Sequence, residues 1–139
     1  MTRINVIPPE ELCDQHLLAE HREIVRIPNM LRAGLLCDSY VDAPAHYVLG
    51  EGHVKFFVSK LAYLCERYVA LHQECRYRGF NVTDMVTAFP LVCEGEYVPT
   101  AGAIAINQAR ILDNMPAAAR WSHRFAPDWV QVAINTFGA

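Results

Sequence analysis

Lysine is scarce in this chain. Of twelve cationic residues only Lys55 and Lys60 are lysine, and the remaining ten are arginine. With a net charge of −3, the protein cannot coat nucleic acid by bulk electrostatics. No apolar run approaches the roughly 18 residues of a membrane span. The opening MTRINVIPPEELC has no apolar h-region, so no secretory signal is expected. No Cys-x-x-Cys pair exists, and the five cysteines (Cys13, Cys37, Cys65, Cys75, Cys93) are odd in number and scattered. They are expected to be free thiols in a reducing, cytoplasmic setting rather than a disulfide or zinc framework. Cys65, His72 and Cys75 share a helical face and read as core packing. Gly50-Glu51-Gly52 lacks the lysine and preceding strand of a phosphate loop, and reads as a tight turn. No repeat, low-complexity tract or long linker divides the chain.

What is present is a packed globule. The hydrophobic fraction of 53% against 19% charged suits one domain over residues 1–139. The pattern predicts an all-α domain of about three helices. The first is predicted from Pro8-Pro9, a favourable opening, to Arg26, because Pro28 disfavours helix at Ile27. Residues 31–49 read as irregular connection. A long second helix is predicted from Gly52 to Arg78, where Val54, Phe57, Val58, Leu61, Leu64, Cys65, Tyr68, Leu71 and Cys75 form an apolar stripe. Gly79 is its natural stop. The third runs from the N-cap Thr100 to about Asn114. The aromatic tail from Arg120, with Trp121, Phe125, Trp129 and Phe137, reads as irregular, and short extended pieces are expected near Phe89–Cys93.

The first helix carries a polar face. At about 100° per residue, Gln15, His16, Arg22, Glu23 and Arg26 fall within a wedge of about 120°, with Ala19 among them. Cys13, Leu17, Leu18, Ile24 and Val25 lie opposite. A solvated face has much the same spacing. This one, however, is poor in lysine and sets a carboxylate between two arginines, and Thr2-Arg3 lies close enough in sequence to fold back onto it.

MTRIN, the following ELCDQHLLAEHRE and Arg26 resemble the pyrimidine-dimer DNA glycosylase family. Three further blocks resemble it in the same order: YVLGEGHVKFF (Tyr47 to Phe57), ECRYRGFN (Glu74 to Asn81), and GEYVP followed by AIAINQAR (Gly95 to Arg110). The resemblance implies a bifunctional glycosylase and abasic-site lyase needing no cofactor. After removal of Met1, the amine of Thr2 would attack C1′ of the damaged nucleotide, form an imine, and cut the strand by β-elimination. Glu23 corresponds to the family's essential carboxylate. Arg3, Arg22, Arg26 and Arg110 correspond to residues that grip DNA, and Gln15 and His16 lie at the site. The implied partner is duplex DNA with pyrimidine dimers or abasic sites, bound by a monomer. The chain departs from the family in its acidic balance and its tail, where Trp121 aligns only loosely with a tyrosine-rich cluster. The competing reading is a relative that keeps the fold and binds DNA or protein without catalysis.

A local arginine patch on an acidic protein makes a definite forecast for salt dependence. Four phosphate contacts, from Arg3, Arg22, Arg26 and Arg110, give a slope of log K against log[salt] of about −3.6 on undamaged duplex. Titrations across salt concentrations measure it, and a slope of about −10 would refute the local patch.

Overall fold

The computed structural model describes residues 3–35 and 43–137. Met1, Thr2 and Cys37 lie outside the described residues. Among the described residues there are six α-helices and no strand: α1 (Asp14–Glu23), α2 (Arg26–Arg32), α3 (Gly52–Phe57), α4 (Leu61–Tyr77), α5 (Ala101–Asp113) and α6 (Asp128–Phe137). None is long and apolar enough to cross a membrane. The all-α expectation holds with more, shorter helices. α1 packs mainly on α4, and Leu17, Ile24, Phe57, Leu64 and Leu71 are sealed in one core.

The single first helix expected from Pro8 to Arg26 is three pieces. Pro9–Glu11 form a 3₁₀ turn. Leu12 and Cys13 are then extended, with ψ of 141° and 161°, and both side chains are fully buried. The Asp14 amide donates to the Arg120 carbonyl at 2.6 Å, so the tail meets an amide that a continuous helix would have used. Pro28 does not end α1. It is the third residue of α2, a first-turn position where its missing N–H has no helical partner to lose.

The long second helix is also divided. Lys60 leaves helical geometry at φ −124°, ψ 43°, and the first free amides of α4 are met from outside. Ala62 N–H donates to the Glu94 carbonyl and Tyr63 N–H to the Gly95 carbonyl, both at 3.1 Å. The approach needs glycine, because Gly95 has φ +91° and a Cβ there would stand 1.8 Å from the Ser59 carbonyl oxygen. The extended pieces expected near Phe89–Cys93 are bends without strand pairing.

α5 matches its expectation. Thr100 Oγ1 accepts from the Ala103 amide at 3.0 Å, the N-cap that satisfies an orphan donor. The tail corrects one: α6 is regular helix where irregular chain was expected. Its start signal, Pro127 followed by Asp128, is a good helix opening that the surrounding aromatics obscured. Val130 is fully buried. The indole N–H groups of Trp121 and Trp129 donate to the Glu11 carbonyl at 3.0 Å and to Glu11 Oε1 at 2.7 Å.

Two glycines separate conformational strain from close approach. Gly50 also has positive φ, +80°, but nothing lies within 4 Å of its would-be Cβ. Gly50→Ala should cost about 1 kcal/mol, from the left-handed backbone alone. Gly95→Ala should cost more than about 2 kcal/mol, because strain and clash add. Urea denaturation of both variants checks this, and equal losses would remove the Gly95–Ser59 contact as the cause of the helix break.

Candidate active site

Residues 3–7 precede the first turn and belong to no helix or sheet, so their backbone groups need other partners. Side chains supply them. The Ile4 amide donates to His53 Nε2 at 2.8 Å, and the Ile4 carbonyl accepts from the Tyr47 hydroxyl at 3.0 Å. The Val6 amide donates to Asn107 Oδ1 at 2.7 Å, and the Ile7 carbonyl accepts from an Arg67 Nη at 2.6 Å. Ile4 and Val6 are buried, while Arg3 and Asn5 line a cleft. That alternation is the two-residue period of extended chain.

The cleft, about 180 Å³, lies between this segment, α1 and the end of α5. It is lined by Arg3, Asn5, His16, Ala19, Glu20, Glu23, Arg110, Ile111 and Asn114. Its two carboxylates differ in availability. Glu20 is 2% exposed, and both oxygens are taken: Arg67 donates to Oε2 at 2.6 Å and to Oε1 at 3.0 Å, and Asn5 donates to Oε1 at 2.7 Å. Among the described residues Glu23 pairs only with Arg26, at 3.3 Å, the two side chains being 24% and 52% exposed. An exposed pair of this kind is worth little. Glu20 is therefore fully engaged, and Glu23 is the more accessible of the two.

The remaining lining is cationic or neutral. Burial and the neighbouring Arg110 lower the pKa of the Arg3 guanidinium, with Tyr47 opposing. His16 is lowered chiefly by burial, against a bond to the Asn114 carbonyl at 3.2 Å that favours its charged form. Arg3 and Arg110 lower it further. The ring is neutral near pH 7, and its buried Nδ1 has no hydrogen-bond partner among the described residues. A cleft with two guanidiniums, a neutral imidazole and one accessible carboxylate can hold an anionic backbone and offset positive charge developing beside it.

Of the residues expected at the site, the cleft brings together Arg3, His16, Glu23 and Arg110. Arg22 and Arg26 are exposed beside it without lining it. Gln15 turns elsewhere: its amide donates to the Ala118 carbonyl at 2.8 Å and accepts from the Arg120 amide at 3.4 Å, fastening the start of the tail. Thr2 lies outside the described residues, one peptide bond from Arg3. Asn5, Glu20, Arg67 and Asn107 were not foreseen. Glu20 is four residues after His16 and three before Glu23, a spacing that puts it on the same helical face. Nothing local marks Arg67 or Asn107, since only the tertiary fold brings them near residues 3–7.

The Cys65–His72–Cys75 face does not act as a unit. Cys75 is buried, and His72 Nδ1 lies 3.0 Å from Nε2 of His21 on α1. Among the described residues no group of three or more histidine, cysteine or acidic side chains is placed to hold a metal ion.

A sequence model of the family described as pyrimidine dimer DNA glycosylase matches residues 1–88. The match includes Arg3, His16, Glu20, Glu23 and Arg67, and stops before Asn107 and Arg110.

Three histidines give this part of the protein a pH dependence. Burial lowers His16, His21 and His53 below the ordinary 6.5, as the largest cause in each. Their contribution is fully present above pH 6.5 and lost as pH falls, because the unfolded chain takes up protons that the folded one resists. Protonating His53 also removes the acceptor for the Ile4 amide. The melting temperature should fall between about pH 7.5 and about pH 5.5. A flat profile across that interval would contradict it.

Proposed function

The chain belongs to the pyrimidine dimer DNA glycosylase family, and we propose on that premise that it excises the dimer and then nicks the strand as an abasic-site lyase. The observation that carries the reading is the division between the two cleft carboxylates: Glu20 is fully hydrogen-bonded, whereas Glu23 is accessible beside Arg3 and Arg110.

In this reading Met1 is removed and the Thr2 amine is the nucleophile. An α-amine has a pKa of about 7.7–8.0, against about 10.4 for lysine, so much of it is neutral at physiological pH. The neutral form is the one that makes imines. Its lone pair attacks C1′, the C1′–base bond breaks, and the base leaves with the electron pair and gains a proton. The amine loses a proton as the sugar ring opens, and O4′ takes one up, leaving an iminium at C1′. Removal of a proton from C2′ expels the 3′ phosphate and cuts the strand, after which water releases the amine. Glu23 stabilises the cationic stages and carries protons between them. Arg3 and Arg110 hold the backbone at the reacting sugar, with His16 beside them in the cleft and Arg22 and Arg26 outside it.

Glu23→Gln keeps the shape and removes the charge. Strand cleavage should fall by about 10²-fold or more, while binding to damaged duplex stays nearly unchanged. Equal losses of binding and turnover would make Glu23 an organiser of the arginines instead. The chemistry itself is tested by borohydride trapping on ultraviolet-irradiated and on abasic duplexes, with protein shown to begin at Thr2. Adducts on both support the full reading, and an adduct on abasic DNA alone reduces it to a lyase. No adduct on either leaves a relative that keeps the fold and binds DNA or protein without catalysis.

A further inference from the structure

Asn107 lies in the middle of α5, fully buried and beyond the span matched by the family. Its side chain makes two bonds, both to the N-terminal segment. Oδ1 accepts from the Val6 amide at 2.7 Å, and Nδ2 donates to Asn5 Oδ1 at 2.7 Å. Asn5 then donates to Glu20, and Glu20 is locked by Arg67 of α4. An uninterrupted line of side-chain bonds thus runs from α5, through residue 5, to α1 and α4.

We infer that Asn107, acting through Asn5, is a positioning residue for catalysis, holding the segment that carries the N-terminal amine against α1, the helix of Glu23. The inference rests on the reading of the Thr2 amine as nucleophile. Asn107 holds the segment by its backbone at residue 6 and by its side chain at residue 5, which fixes both its depth and its rotation. Residue 5 is three residues from residue 2, and Glu20 is one turn from Glu23 on the same helix. The bonds that seat Asn5 therefore hold residues 3–7, to which the chain end is joined, against the helix that carries Glu23. A core amide of purely structural use has no need to join these two elements. Catalysis has one, because a displacement of about 1 Å can cost about 10²-fold in rate.

The test is single-turnover borohydride trapping on abasic duplex with Asn107→Leu, which keeps the volume and removes both bonds. The measurement is made well below the melting temperature. The trapping rate at saturating DNA should fall between about tenfold and about a hundredfold, with the half-saturating DNA concentration unchanged. A general loss of stability in a folded variant moves neither quantity. If Asn107→Leu does not fold, Asn5→Ala cuts the same line and is held to the same criterion. A rate equal to wild type, or a loss of rate matched by an equal loss of binding, overturns the inference while the wild-type adduct still stands. No adduct with wild-type protein overturns the nucleophile reading and this inference with it.

Discussion

An extended segment that pairs with no strand among the described residues is the constraint on which the rest of this structure depends. Residues 3–7 are threaded into the core, and Ile4 and Ile7 are as buried as any side chain in it. Buried amides and carbonyls must be hydrogen-bonded, and each one left unpaired costs about 1–3 kcal/mol. A sheet would have met them with backbone. Here they are met by the imidazole of His53, the phenol of Tyr47, the amide of Asn107 and the guanidinium of Arg67. These residues come from separate parts of the chain, so the segment fastens them together. The cleft forms where its polar side, Arg3 and Asn5, meets α1.

A second polar network stands at the other end of α1. Asp14 accepts from Arg78 at 3.0 Å and from the Ser122 amide at 3.0 Å, and Glu74 accepts from Arg78 at 2.8 Å and from Arg124 at 2.9 Å. Burial alone would raise both carboxylates, but the hydrogen bonds and the arginines hold them below their ordinary range. Arg124 also lies over the Tyr77 ring, 4.1 Å from its centroid. The tail is joined to the body here, at the start of α1, while His16, Ala19, Glu20 and Glu23 line the cleft along the same helix. Buried pairs of this sort are costly to break singly, since removing one partner strands the other's charge.

Where local chemistry decides, the sequence was legible. The Thr100 cap, the buried stripe of α4 and the polar wedge of α1 all follow from spacing and residue type, and the wedge holds His16 and Glu23 of the cleft. Where a distant segment decides, it was not. Leu12 and Cys13 read as helix because nothing local shows the Arg120 carbonyl waiting for the Asp14 amide. The break at Ser59–Lys60 depends on Glu94 and Gly95, more than thirty residues away. Pro28 was read as an ending because its rule concerns the residue before it, whereas the chain used it as an opening. The family resemblance placed Gln15 at the site, and nothing local shows that the start of the tail takes its amide. Asn107 had no signature, since an asparagine in a helix is unremarkable until its partner is known.

The cap on α4 also decides what counts as a folding unit. The match to the family's sequence model ends at residue 88, yet the carbonyls that complete the first turn of α4 belong to residues 94 and 95. Asn107, which holds the Val6 amide, comes later still. A polypeptide released from the ribosome only as far as residue 88 would hold most of the cleft's chemistry without the means to keep it in place. Its α4 would begin with bare amides, and its first strand-like residues would lack a partner on one side. The stretch that the family model matches and the stretch that must be present to fold thus have different borders in this chain, and the second lies well downstream of the first.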